Sequence, residues 1–350
     1  MKTLLHRSSP NAWSAALNLA ASGHSVQVVE CAQHVGAPYV TVDGRELGLA
    51  DLHFRGELAL PTLQHTGRSI VENDNIVLRV TRQGLEGSQL SARDAQRWPQ
   101  FVQLLDQASQ LLGQLFSQSA PSAEIHEAWR ALGRRTSMEV LRLPWMSLRD
   151  LLDEWFESES LKGLLAEVAL EGIVQGPFAC GTVYHLLTRW SRGDALHPAT
   201  AAGGSSTLIQ ALQEKALAQG VGFEHCPGQP TLVWESGRPT ALQIGEERWD
   251  FDTLVSDKDA RWTYTQLVSP RYLETEFNNA IHKIRGRGIW QRGSGQAQWP
   301  DHWPEQSQQD VLHIHPGLRA LEKAYDKVKR QQTPVGPIPS WFPPAIWRPN

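Results

Sequence analysis

The sequence predicts an α/β fold, and three features at its start carry that expectation. Residues 2 to 5 form a short apolar run, and residues 12 to 22 form a helix-like stretch of small side chains. Ser25 to Glu30 then read as a buried strand that ends in an acid. Together these segments outline a β-α-β unit, the usual opening of a parallel sheet covered by helices.

With 350 residues, 41% of them hydrophobic, the chain can bury a substantial core, enough for two domains or one large interleaved body. No run approaches the roughly 18 to 20 apolar residues of a membrane span, and the run through Leu4 and Leu5 is cut by His6 and Arg7. Neither a transmembrane segment nor a secretory signal is expected. The 33 basic and 37 acidic residues give a net charge of -4 and no basic stripe, so nucleic acid is not an expected partner. Cys31, Cys180 and Cys226 are far apart in sequence, form no C-x-x-C pair and leave one thiol over, which fits a reducing, cytoplasmic setting. Of fourteen tryptophans, Trp290, Trp299, Trp303, Trp341 and Trp347 crowd the C-terminal quarter among prolines and glycines. Irregular packing explains them, with an aromatic ligand surface as the alternative.

A working dinucleotide unit carries G-x-G-x-x-G between its first strand and helix, because side chains there would block a pyrophosphate from the helix N-terminus. An acid at the end of the second strand binds a ribose hydroxyl, and Glu30 supplies it here. Aligning Asn11 with the asparagine of a G-x-G-x-N-G loop places Arg7, Ser9 and Ala12 at the three glycine positions. Ala12 is tolerable there. The Ser9 side chain stands where backbone should approach phosphate, and Arg7 is expected to disturb the tight turn. A β-α-β unit that binds nothing is the alternative reading of this segment.

Further along, the motifs become specific to one family. Leu90 to Ala95, then Trp98-Pro99-Gln100-Phe101, resemble a D-A-x-x-[YW]-x-x-F segment, and Met146 to Glu159 resemble S-x-x-x-L-L-D-E-W-F-E-S-E almost letter for letter. Gly181 to Leu187, Gly203-Gly204 with Leu208, Asp252 to Asp259, Ile284 to Gly288, and His313 through Tyr325-Asp326 to Ser340 continue the match. The chain is identified as a member of the phytoene-desaturase-like FAD-dependent oxidoreductases, similar to the group that includes pyridine nucleotide-disulfide oxidoreductase domain-containing protein 2. That resemblance implies FAD as cofactor and a Rossmann-like FAD/NAD(P)-binding domain from residues 1–55 and 195–268. An α+β substrate-type domain of helices and antiparallel strands, residues 56–194 and 269–350, is interleaved with it.

Several positions depart from the family. Val35-Gly36-Ala37 stands for V-G-G, and Gln229, between Pro227 and Pro230, falls where a strand valine would pack beside adenine. Asp257 replaces the asparagine after serine, and Lys258-Asp259-Ala260 replaces A-D-P. Residues 40 to 90 are short for the family, and the chain ends soon after the I-P-S segment, before a lobe that carries a second glycine-rich motif. Loss at several flavin-contacting places together implies relaxed selection on the cofactor or a repurposed site. A decayed reading frame is a further alternative, against which the intact core patterning argues.

His313 and His315 would share a strand face but lack a third ligand at suitable spacing, so no metal is expected. Cys180 with His185 could form a nucleophile pair, though a structural thiol is the simpler reading. The run Gly203-Gly204-Ser205-Ser206-Thr207 ahead of a helix from Leu208 to Ala218 could hold an anion, the best remnant of a cofactor site. Helices are expected at 100 to 116, 148 to 156 and 318 to 330, and the Gln/Ser-rich run 103 to 119 continues a helix. The candidate cofactor residues are therefore Ser8, Ser9, Asn11, Ala12, Glu30, Gly36, Gly203 and Gly204. No catalytic acid or base can be named, since in such enzymes the flavin carries the chemistry. Two readings result: a flavin-free or weakly binding accessory protein, cytoplasmic or peripheral at a membrane, whose protein partner completes the missing lobe; or an active FAD-dependent oxidoreductase on an apolar small molecule such as a polyene or isoprenoid.

Overall fold

The computed structural model describes residues 1–32, 62–64, 67–88, 90–117, 123–171, 173–192, 195–196, 199–201, 205–284, 300–305, 307, 310–314, 317–330, 332 and 340–341. Its first half runs β1 (Lys2–His6), α1 (Pro10–Ala21), β2 (Ser25–Glu30), β3 (Thr62–Gln64), β4 (Arg68–Glu72), β5 (Asn75–Val80), β6 (Leu85–Glu86), α2 (Ala92–Ser117), α3 (Ala123–Ala131), α4 (Gly133–Arg142), α5 (Leu148–Trp155) and α6 (Glu159–Leu170). There follow α7 (Val183–Arg192), β7 (Ala199–Ala201), α8 (Ser205–Ala218), β8 (Gly222–His225), β9 (Thr231–Glu235), β10 (Arg238–Ile244), β11 (Glu247–Asp250), β12 (Thr253–Ser256), α9 (Ala260–Trp262), α10 (Thr275–Lys283), β13 (Val311–His313), α11 (Leu318–Lys329) and β14 (Ser340–Trp341). The chain divides into two compact units, residues 1–62 with 200–286 and residues 63–199 with 287–350.

The first unit is a parallel sheet in the order β12-β1-β2-β8, the Rossmann-like part of an α/β fold. Ser9 caps α1 and Pro10 opens it, where a missing N–H costs nothing. At the far end Gly23, at φ 85°, turns the chain into β2 with its N–H on the Ala20 carbonyl. The small residues of α1 let it lie close to the sheet: Trp13, Ala16 and Leu17 share a buried cluster with Val26 and Val28 of β2 and Leu208, Ile209 and Leu212 of α8. On the opposite face, Leu4 and Val29 pack with Leu242 and Ile244 of the antiparallel β9-β10-β11 meander. Both faces of the sheet are thus covered, as the apolar residues that β1 and β2 turn to either side require.

The second unit holds a mixed sheet in the order β14-β13-β4-β5-β6, with a helical core. Ile70 and Leu78 from the sheet pack with Trp98, Phe101 and Leu105 of α2, Leu151 and Leu152 of α5, and Leu164 and Leu165 of α6. Helix α2 starts at Ala92, earlier than the expected residue 100, and carries Pro99 within it. The Ser91 hydroxyl accepts the Asp94 N–H at 3.0 Å and caps the earlier start, and Pro99 costs one backbone donor and crowds the Ala95 carbonyl without ending the helix.

The structure also accounts for the segments Leu90 to Ala95 and Met146 to Glu159. Asp94 is fully buried, and its carboxylate accepts the N–H groups of Glu157 at 2.8 Å and Ser158 at 2.9 Å. Ser147 caps α5 and Ser158 caps α6, while Lys162 Nζ bridges Asp153 at 2.7 Å and Glu159 at 2.6 Å. The D-A and L-L-D-E-W-F-E-S-E letters are therefore the two halves of one helix–turn–helix clasp. They specify a fold and not a chemistry.

Candidate nucleotide site

The loop between β1 and α1 keeps the geometry of a dinucleotide turn without its glycines. Arg7 adopts φ 86°, the left-handed conformation that glycine supplies in the motif, and its N–H donates to the Val29 carbonyl at 2.8 Å. The expectation that arginine would disturb this turn is corrected. Left-handed backbone costs a non-glycine residue on the order of 1 kcal/mol. An ion pair between the Arg7 guanidinium and Glu30, at 3.4 Å between nearly buried side chains, offsets that cost.

Glu30, the acid expected to meet a ribose, is fully buried and already engaged. Its Oε2 accepts the Ser8 N–H at 3.0 Å and the Ser8 hydroxyl at 2.6 Å, and its Oε1 accepts the Ala32 N–H at 2.8 Å while facing Arg7. The helix N-terminus is engaged in the same way. Ser9 Oγ accepts the N–H groups of Asn11 at 3.1 Å and Ala12 at 3.3 Å, and the Ser9 N–H points to Asp257 Oδ2 at 3.3 Å. Asp257 follows β12 and is held there by its own N–H on the His6 carbonyl, 3.1 Å away. A carboxylate thus stands at the α1 N-terminus, where the motif presents bare donors to phosphate. Burial pushes the Asp257 carboxyl above its ordinary range, with the Ser9 hydrogen bond pulling the other way.

Beneath this loop lies His6, fully buried, stacked on Trp262 with ring centroids 5.5 Å apart and with Nε2 2.9 Å from Cys31 Sγ. Burial, helped by the Arg7 charge, lowers its pKa to about 4, so the ring is neutral at pH 7. Sequence reasoning missed His6, which it read only as a break in an apolar run. It noted Asp257 as a substitution but not its place at the helix terminus.

Of the expected cofactor residues, the structure gathers Ser8, Ser9 and Glu30 into this network. Ala12 packs into the core and the Asn11 side chain is exposed. Gly36, Gly203 and Gly204 lie outside the described residues, as does His315. Gln229 is in no strand; β8 ends at His225, ahead of Pro227. In the second unit, His313 is buried between Arg68, 3.1 Å from its Nε2, and Glu167, 3.2 Å from its Nδ1, in a strand-stapling network. The His185 ring bonds Gln175 at 3.1 Å, while Cys180 is exposed and helps line a shallow cavity of about 450 Å³ with Trp145 and Tyr184. Trp303 donates its indole N–H to the Asp74 carbonyl at 2.8 Å, a packing role. Among the described residues no helix is long and apolar enough to cross a membrane.

No protein-family profile matches the chain, and no curated protein sequence matches it. Among solved structures it is similar to an oxidoreductase from Methanosarcina mazei, at 16% identity and a TM-score of 0.51 over 81% of this chain and 64% of that one. It is also similar to a protein from Pyrococcus furiosus, at 12% identity and a TM-score of 0.54 over 90% of this chain and 72% of that one. The chain therefore spans about two thirds of the length of these proteins, and what it shares with them is the fold. That fold is α/β, with a Rossmann-like parallel sheet in its first unit.

Proposed function

We propose that this protein is a flavin-free descendant of the FAD-dependent oxidoreductases, and that it acts as a binding or accessory protein on their scaffold. The observation that carries this reading is the self-occupied nucleotide site. Glu30 is spent on Ser8, Ala32 and Arg7, and the α1 donors are spent on Ser9 and Asp257. The residues present do not fit FAD. To release Glu30 to a ribose, the protein must break charged hydrogen bonds worth about 2 kcal/mol each. Each such loss lowers affinity roughly thirtyfold. A diphosphate arriving at α1 must also displace a carboxylate of its own sign.

A binding role is supported by an exposed apolar stripe in the second unit. Met138 and Leu141 of α4, with Trp145 just beyond it, recur at three- and four-residue spacing and are 62%, 51% and 79% exposed. Three large apolar side chains in one solvated row suit a contact surface better than a solvated helix face.

Purified protein soaked in excess FAD and desalted is the direct test. It is expected to stay colourless, with no flavin absorption and no rise in melting temperature. A yellow protein holding flavin near one equivalent would overturn the proposal and favour an active oxidoreductase.

A further inference from the structure

Cys31 and Cys226 are remote in sequence, yet the parallel pairing of β2 and β8 brings them together. Glu30 stands opposite His225 as the last register pair, and the next residue on each segment is a cysteine. Backbone hydrogen bonds bracket them: the Cys226 N–H donates to the Glu30 carbonyl at 2.9 Å and the Gly228 N–H to the Cys31 carbonyl at 3.1 Å. Neighbouring strands run about 4.8 Å apart, inside the Cα spacing of roughly 4.4 to 6.8 Å that a disulfide spans. Side chains in register leave a sheet on the same face, and both cysteines join the apolar cluster of Val29, Leu242 and Phe251. Pro227 adds no donor of its own directly after Cys226, so the two flanking backbone bonds hold the segment in place beside Cys31.

A third group completes the arrangement. His6 lies one strand over on β1 with Nε2 2.9 Å from Cys31 Sγ, and its Nδ1 is buried with no hydrogen-bond partner among the described residues. With its hydrogen on Nδ1, the neutral imidazole accepts the thiol proton at Nε2. The two thiols differ in access: Cys31 is buried, Cys226 only half-buried. Burial also keeps the Cys31 thiol protonated by pushing it above its ordinary range.

We propose that Cys226 and Cys31 form a peroxide-reactive dithiol, Cys226 being oxidised first and Cys31 resolving it with His6 as proton acceptor. In the first step Cys226 sulfur attacks a hydroperoxide, an S–O bond forms and the O–O bond breaks. The thiol proton goes to the departing oxygen, leaving a sulfenic acid and one water or alcohol. In the second step Cys31 sulfur attacks Cys226 sulfur, the S–S bond forms and the S–O bond breaks. Hydroxide leaves as water with the Cys31 proton passed through His6. Two thiols lose two electrons and one peroxide gains them. A cellular thiol would reverse the change, in keeping with a reducing compartment. This inference is independent of the flavin reading.

The experiment treats the full chain with submillimolar hydrogen peroxide, quenches in acid, alkylates, and counts thiols beside peptide mass mapping. The count is expected to fall from three to one, with a Cys31–Cys226 cross-linked peptide in monomeric protein, Cys180 still alkylated, and full recovery on reduction. Cys31→Ser should trap Cys226 as a sulfenic acid that dimedone labels. His6→Phe, which keeps the stack on Trp262, should form that acid at the wild-type rate but close the disulfide at least tenfold more slowly. Circular dichroism checks that both variants fold. Disulfides through Cys180 or between molecules, sulfinic acid at Cys226 without a cross-link, or three intact thiols at these concentrations would each overturn the proposal.

Discussion

The sharpest physical test of the region beneath the nucleotide loop is acid titration of His6. The folded protein holds this imidazole at about 4 against an ordinary 6.5, mainly because burial disfavours the cation. The unfolded chain therefore takes up a proton between these values that the folded chain refuses, and stability falls as pH falls through this window. Linkage over that interval gives a loss of about 1 kcal/mol at pH 5.5 and about 2 kcal/mol at pH 4.5, relative to pH 7. Other histidines and carboxylates titrate over the same range, and Asp257, shifted upward by burial, works in the opposite direction. The comparison is therefore with His6→Phe, which retains an aromatic ring against Trp262 and removes the titration together with the Cys31 contact, whose loss is common to all three pH values. Urea unfolding followed by circular dichroism at pH 7, 5.5 and 4.5 measures both proteins. The stability difference between them should shift by about 2 kcal/mol in favour of the variant from pH 7 to pH 4.5. A difference that stays flat across the three pH values would show that His6 is hydrated or charged in the native state, and the account of a dry, neutral imidazole on Cys31 would fall.

Three further outcomes follow from particular contacts. Asp94→Ala strands the Glu157 and Ser158 N–H groups and should cost about 2 kcal/mol in a urea titration. Leu151→Ala empties a fully buried position between α2, α5 and α6 and should cost about 3 kcal/mol; a loss below 1 kcal/mol would mean that the clasp is not packed as described. Asp257→Asn removes the carboxylate from the α1 N-terminus. It should tighten ADP binding roughly fivefold at low salt, about 1 kcal/mol, in a nuclear magnetic resonance titration. An unchanged ADP affinity would mean that the carboxylate does not guard the helix.

The legible parts of this chain were those whose signal is local. β2 falls at Ser25–Glu30 because a valine-rich run of β-branched residues ends at an acid, and α1 ends where Gly23 stops it. Helix α2 was under-read by eight residues at its start because Pro99 looks like a boundary, whereas the Ser91 cap lies upstream of it. The site was legible as a set of missing glycines with Glu30, Ser8 and Ser9 beside them, but not how these residues are engaged. Its actual closure depends on Asp257 meeting Ser9 across 248 positions of sequence, which only the β12-β1 pairing brings about. The meeting of Cys31 with Cys226 depends in the same way on β8 lying beside β2. Spacing along a chain cannot reveal a neighbour that register creates.

The closure of the loop bears on how such a site comes about. In a protein that binds a dinucleotide, the ligand supplies partners to the acid at the end of β2 and to the first turn of α1. A chain folding without the ligand must find those partners internally, because a fully buried carboxylate left bare costs several kcal/mol, comparable to the whole stability of a domain. Here the chain supplies partners of its own: Ser8 and Arg7 to Glu30, and Asp257 to the first turn of α1. Arg7 even holds the left-handed turn that a glycine would occupy more cheaply. The interlocked set keeps the buried acid and answers it from within, so no buried carboxylate of this loop is left without a partner.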